Sequence, residues 1–116
     1  MGDSDPVATF GYVAREMSRR KIAFIFAREG KGDPYLGPML RKEFGGVFIA
    51  NQQLSFADGE SMIENEEADA ISWGQLYIAN PDLVRRCAEA VDLNEPNPET
   101  FYGEGPEGYT DYPFLD

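Results

Sequence analysis

Two short polar stretches carry the chemistry this chain could do. Asn51-Gln52-Gln53 follows the apolar run Val47-Phe48-Ile49-Ala50, and Gly74-Gln75 follows the weaker run Ala70-Ile71-Ser72-Trp73. Backbone N–H groups in loops at strand ends can bind phosphate oxygens, and a glycine lets a ligand come close to the main chain. Gly74 reads equally well as a plain turn residue. Other chemistries are poorly served. There is no histidine and one cysteine, Cys87. The commonest general base and the commonest nitrogen ligand for metals are therefore missing, and an intrachain disulfide is excluded. No loop has the ligand spacing of a Ca²⁺ or Mg²⁺ site. The sequence predicts neither a metal site nor a catalytic residue.

The elements that must position these stretches follow from hydrophobic spacing. Phe10, Val13, Ala14 and Met17 place a helix over 7–20. Ile22-Ala23-Phe24-Ile25-Phe26-Ala27 is apolar at every position, as expected of a parallel strand buried on both faces. Leu36, Met39, Leu40 and Phe44 give a second helix, which Gly45-Gly46 ends. Val47 to Ala50 is a second strand. Ser55 and Asp58 have capping-box spacing for a third helix that runs to about Asn65. Ala70 to Trp73 is a third strand. Asn80-Pro81-Asp82 reads as a helix start with Asn80 as cap, and Leu83, Val84, Cys87, Ala88 and Val91 supply that helix's apolar face. Cys87 is then an inert core thiol, and Trp73 is a core residue. Beyond Leu93, prolines, glycines and aromatics make an irregular arm. The division expected is residues 1–92 as βα units and 93–116 as the arm. Strands alternating with helices imply right-handed crossovers and parallel pairing.

Three segments in fixed order carry a family resemblance. They are Phe44-Gly45-Gly46-Val47-Phe48-Ile49-Ala50-Asn51, then Trp73 through Leu83 with Trp73-Gly74-Gln75 at its head, then Phe101-Tyr102-Gly103 through Gly108-Tyr109-Thr110-Asp111-Tyr112-Pro113. Together they resemble the C-terminal third of the old yellow enzyme family, FMN-dependent NAD(P)H:flavin oxidoreductases that include the N-ethylmaleimide reductases and reduce activated alkenes. The resemblance implies an α/β fold. It would be a partial (β/α)8 TIM barrel of the last three parallel βα units, with an irregular C-terminal arm. A complete barrel needs roughly 250 residues, more than the 116 present.

The resemblance also implies a site. Gln53 matches a backbone N–H donor to the FMN phosphate, and Gly74 matches a second. Gln75 matches a position that is often arginine, whose side chain binds the phosphate; a neutral amide replaces a charged fork here. Tyr102 matches an aromatic near the flavin, with packing of the arm as its alternative role. Tyr109, Tyr112 and Phe114 are expected to pin the arm. The family's substrate-anchoring histidine pair and tyrosine proton donor lie outside the matched stretch, so the chain is not expected to complete the catalytic cycle alone. The contrasting expectation is a non-catalytic α/β module, or an oligomerising remnant, without flavin binding.

Composition bounds the partners. With 21 acidic against 10 basic residues the net charge is −11, which repels nucleic acid and anionic lipid. No apolar run approaches the roughly 20 residues of a membrane span. No secretory signal pattern is seen, and one cysteine fits a reducing cytoplasm. FMN and NAD(P)H are the implied partners of the full-length enzyme. A piece of a barrel with open sheet edges is expected to self-associate.

Overall fold

The computed structural model describes residues 3–29, 35–51 and 54–116. The chain forms two compact units, Met1–Ser72 and Trp73–Asp116.

The first unit holds the sheet. Its strands are β1 (Phe24–Arg28), β2 (Val47–Asn51) and β3 (Ala70–Ile71), and its helices are α1 (Pro6–Arg19), α2 (Gly37–Phe44) and α3 (Phe56–Glu64). The strands are parallel, in the order β1-β2-β3. This is the alternation expected from the sequence. Helix α1 begins earlier than its apolar spacing suggests. Asp5 accepts a hydrogen bond from the Ala8 N–H (3.1 Å), and Pro6 occupies the first turn, where its missing N–H costs nothing. Helix α2 ends at Gly45, whose φ of 72° is the left-handed cap that glycine adopts without strain. Helix α3 carries the full capping box: Ser55 accepts from the Asp58 N–H, and Asp58 accepts from the Ser55 N–H.

Register sets the core. Ile25 lies opposite Phe48, Ala27 opposite Ala50, and Ala50 opposite Ile71, so these side chains share one face of the sheet. Phe48 and Ala50 pack with Leu54, Met62 and Ala68 as the buried cluster, and Leu40 of α2 lies against it. Asp69 ties the lower end together. One carboxylate oxygen accepts from the Phe48 N–H (2.9 Å) and the other from Arg41 (3.0 Å). These bonds hold its pKa below the usual carboxylate range, the Phe48 N–H being the larger cause.

Strand β1 departs from expectation. It starts at Phe24, because the chain leaves α1 through Lys21 in the left-handed region and the Ile22 N–H turns back to the Met17 carbonyl. Nor is it buried on both faces: Phe24 and Phe26 are each 50% exposed. They project from the face opposite Ile25 and Ala27, where Val47 of the central strand is also exposed, so that face is the uncovered one.

The second unit contains α4 (Gln75–Ala79), α5 (Leu83–Glu89) and a 3-10 turn at Pro98–Thr100. The short helix α4 was not expected from the sequence. Asn80 does not cap the start of α5, whose N-cap is Asp82; it follows the last residue of α4. It is fully buried, donates to the carbonyls of Leu76 (2.9 Å) and Asn94 (3.1 Å), and accepts from the Asn94 N–H (2.7 Å). The helical face read from apolar residues is also altered. Val84 is exposed, whereas Arg86 is buried. Arg86 pairs with Asp82 (2.8 Å) and donates to the carbonyls of Asp92 (2.9 Å) and Pro113 (3.0 Å). Asp82 in turn accepts from the Leu115 N–H (2.7 Å). A buried guanidinium whose three nitrogens each find an acceptor is the form in which arginine enters an interior. Tyr112 holds the arm through its hydroxyl, which accepts from the Asn97 N–H (3.0 Å). Tyr109 and Phe114 do not pin it, since both are mostly exposed. Cys87 is partly buried, and burial pushes its thiol pKa up, as expected of an inert thiol. Trp73 is likewise partly rather than fully buried.

Candidate functional site

The parallel register gathers polar groups at the C-terminal ends of the strands. Arg28 closes β1 opposite Asn51, which closes β2. The Glu29 N–H extends the ladder to the Asn51 carbonyl (3.2 Å), and the Ser72 N–H does so to Ala50 (2.9 Å). The Asn51 side-chain amide donates to the Ser72 hydroxyl (2.7 Å). This bond fixes the Asn51 amide at the C-terminal end of β2. Beneath the rim, Glu29 accepts from the Leu36 N–H (2.7 Å). The small cavity among Glu29, Tyr35, Asn51 and Met62 measures about 10 Å³, room for no more than a water.

Sequence reasoning missed Arg28 and the Asn51–Ser72 pair. The available signal was a polar residue directly following each apolar run.

In the second unit, Gly74 and Gln75 stand side by side at the start of α4. The Gly74 carbonyl accepts the Ile78 N–H (3.0 Å), which closes the first turn, and no side chain caps this end. Gly74 has an ordinary negative φ of −89°, and a Cβ built there would meet no protein atom within 4 Å. The chain's own packing therefore does not call for a glycine at this position. Gln75 is exposed. Tyr102, 97% exposed, follows the 3-10 turn and makes no packing contact of the kind its alternative role requires. Gln53 lies outside the described residues. The structure thus joins Gly74 to Gln75, and separately Asn51 to Ser72. Among the described residues, no three His, Cys, Asp or Glu side chains converge as a metal site would need. Among the described residues, no helix is long and apolar enough to cross a membrane.

Parallel strands linked through helices, with polar groups gathered at the strands' C-terminal ends, define part of a (β/α)8 barrel. No family model matches the chain. Its homologues, over nearly its whole length, are members of the old yellow enzyme family. A protein of Leishmania infantum named "Probable flavin mononucleotide-dependent alkene reductase" is 36% identical, over 97% of this chain and 32% of its own. The old yellow enzyme homologue of Zymomonas mobilis is 40% identical with a TM-score of 0.92, over 97% of this chain and 34% of its own. Morphinone reductase, solved in complex with tetrahydroNAD, is 38% identical with a TM-score of 0.92, over 99% of this chain and 32% of its own. The chain spans about a third of the length of the relatives it matches.

Proposed function

We propose that this chain is the C-terminal portion of an FMN-dependent NAD(P)H:flavin oxidoreductase acting on activated alkenes, and that it contributes contacts to the FMN phosphate. The observation that carries the reading is Gly74. Its missing side chain leaves open space that no protein atom uses, next to an exposed amide at Gln75, in a chain whose homologues include one named for flavin mononucleotide.

In this reading the Gly74 N–H and the Gln75 side-chain amide donate to phosphate oxygens, joined by the Gln53 N–H. Asn51, held by Ser72, fixes the C-terminal end of β2, two residues before Gln53 in sequence. Tyr102 offers an open aromatic face to the flavin. Bound FMN supplies hydride acceptance and donation; NAD(P)H and the alkene engage residues beyond this chain. With no histidine anywhere, the chain does not complete the reaction alone. Residues 1–92 serve as the barrel portion and 93–116 as the arm. A reducing compartment, the cytoplasm, suits a chain with one cysteine.

The replacement of an arginine by Gln75 favours a second reading, a module without flavin function. A charge-assisted bond to phosphate is worth about 1–3 kcal/mol, and a neutral amide forfeits part of that.

Titration of the purified chain with FMN, followed by quenching of flavin fluorescence, separates the two. Saturable quenching, weakened about tenfold or more by Gly74→Asp, is the expected result, since a carboxylate would then face the phosphate. Quenching that Gly74→Asp leaves unchanged, or none at millimolar FMN, would remove the phosphate site from this chain.

A further inference from the structure

Charge is unevenly divided along this chain. Eight of the ten Lys and Arg residues fall within the first 42 residues, and 16 of the 21 acids come after them. A second site for an anion is therefore to be sought in the first unit. Two of its cations, Arg41 and Lys42, stand in the last turn of α2. With Gly45, Gly46, Val47 and Asp69 they line an open pocket of about 470 Å³. It lies at the N-terminal end of β2, opposite the end that Asn51 closes. Strand β2 is the central one, so the pocket is not at an outer edge of the sheet. Both glycines answer to the fold. Gly45 takes the left-handed cap, and a Cβ on Gly46 would come within 2.8 Å of the Phe44 ring. They still leave bare main chain at the pocket, since a Cβ on Gly45 would meet no atom within 4 Å.

Asp69 does not satisfy Arg41 fully. One of its oxygens accepts from the Phe48 N–H (2.9 Å), which leaves the other for Arg41 Nη2 (3.0 Å). A carboxylate free of other bonds could accept from two nitrogens of the guanidinium fork. Here Arg41 Nε is buried with no acceptor among the described residues. A buried donor in that condition calls for a water or an ion. Lys42 is exposed and, among the described residues, joins no ion pair. Cations in a last turn suit the helix dipole, but the dipole offers no acceptor to Nε.

We infer that this pocket binds an oxyanion of the phosphate class, free or carried on a small soluble molecule. One oxygen accepts from Arg41 Nε beside the Asp69 pair, and another accepts from the Lys42 ammonium. The Arg41 side chain is 33% exposed, so an anion reaches the guanidinium, and a slight turn of the fork offers Nε. Phosphate suits the site better than a carboxylate, because it keeps a third oxygen for Lys42 after filling the fork. The volume admits more than the bare ion. Nucleic acid and anionic membranes are disfavoured sources at a net charge of −11. The inference does not depend on the reading of Gly74 or on FMN.

The test is titration of the purified chain with inorganic phosphate, and separately with ribose 5-phosphate, followed by amide and arginine Nε–H resonances at constant ionic strength. Saturable shifts of the Gly45 and Gly46 amides and of Arg41 Nε–H are expected, with a Kd below about 1 mM. Tighter binding of the ester would identify an organic source, and equal binding the ion itself. Lys42→Glu, at an exposed position, should weaken binding about tenfold or more. Arg41→Lys, which keeps the charge and removes the Nε–H, should weaken it as well. Arg19→Gln, which removes a cation outside the pocket, should not. The proposal is overturned by shifts that do not saturate, by an Arg19→Gln effect equal to that of Lys42→Glu, or by an Arg41 Nε–H signal that stays in place. Saturable shifts confined to Gly74 and Gln75 would also overturn it, while supporting the phosphate reading of that pair.

Discussion

Asp82 shows how much one side chain does in the second unit. Its carboxylate receives the Leu115 N–H and the Arg86 guanidinium, and Arg86 holds two further carbonyls. The Leu115 N–H is the larger cause of a pKa held below the ordinary 3.8, with Arg86 adding to it against the opposing effect of burial. A carboxyl whose native pKa is depressed contributes stability that is complete above its unfolded value, about pH 4. That contribution is lost as the pH falls through the lowered native value. Hydrogen exchange at the Leu115 amide should therefore speed up below about pH 4 beyond what intrinsic exchange chemistry gives. Asp82→Asn should flatten this response, while the Phe48 amide, held by Asp69, keeps its own. None of this was legible in the sequence. Asn80-Pro81-Asp82 has the composition of a helix start, and only tertiary contacts turn Asn80 inward to residue 94. Arg86 reads as a surface charge until the carbonyls of Asp92 and Pro113 are brought to it. The Gly74-Gln75 pair, by contrast, stood out because glycine followed by a polar residue after an apolar run is a local signal.

At the scale of elements, local signals worked where partners lie within a few residues. The capping box of α3 is complete within Ser55–Asp58, so spacing alone revealed it. Ser55→Ala should cost about 1 kcal/mol, which thermal unfolding would report as a midpoint lowered by about 4 °C. The left-handed cap at Gly45 was legible for the same reason. Helix α4 was not, because its five residues are too few to show a period and no side chain caps it. Strand β1 illustrates a different failure. Its uninterrupted apolar run correctly signals a strand meant for burial on both faces, but burial depends on what lies beside it. Phe24 and Phe26 stay half exposed because the described residues of the first unit leave that face of the sheet uncovered.

For the whole molecule, charge and apolar surface act against each other. The net charge of −11 opposes contact between copies, while the exposed apolar side chains of α1 and β1, Phe10, Val13, Phe24 and Phe26, favour contact with something apolar. An apolar dye such as ANS should bind the native chain at neutral pH, and its fluorescence should fall in Phe26→Glu. A dye signal that leaves this variant unchanged would place the exposed apolar surface elsewhere. The alternation of strands and helices, and with it the barrel origin, was readable from the order of apolar runs. The exposure of Phe24 and Phe26 was not, since a sequence shows which residues seek cover but not whether cover is present.

The grip on residues 113–115 has a mechanical consequence. Pro113 is held through its carbonyl by both Arg86 and Asn94, and Leu115 through its N–H by Asp82. The stretch from Asn94 to Pro113 is thus a loop tied off at both ends on the same buried cluster. Tension applied at Asp116 would load α5 and leave the segment around Glu104 slack. Residues could be added or lost at the tip of that loop, over generations, without loosening either knot.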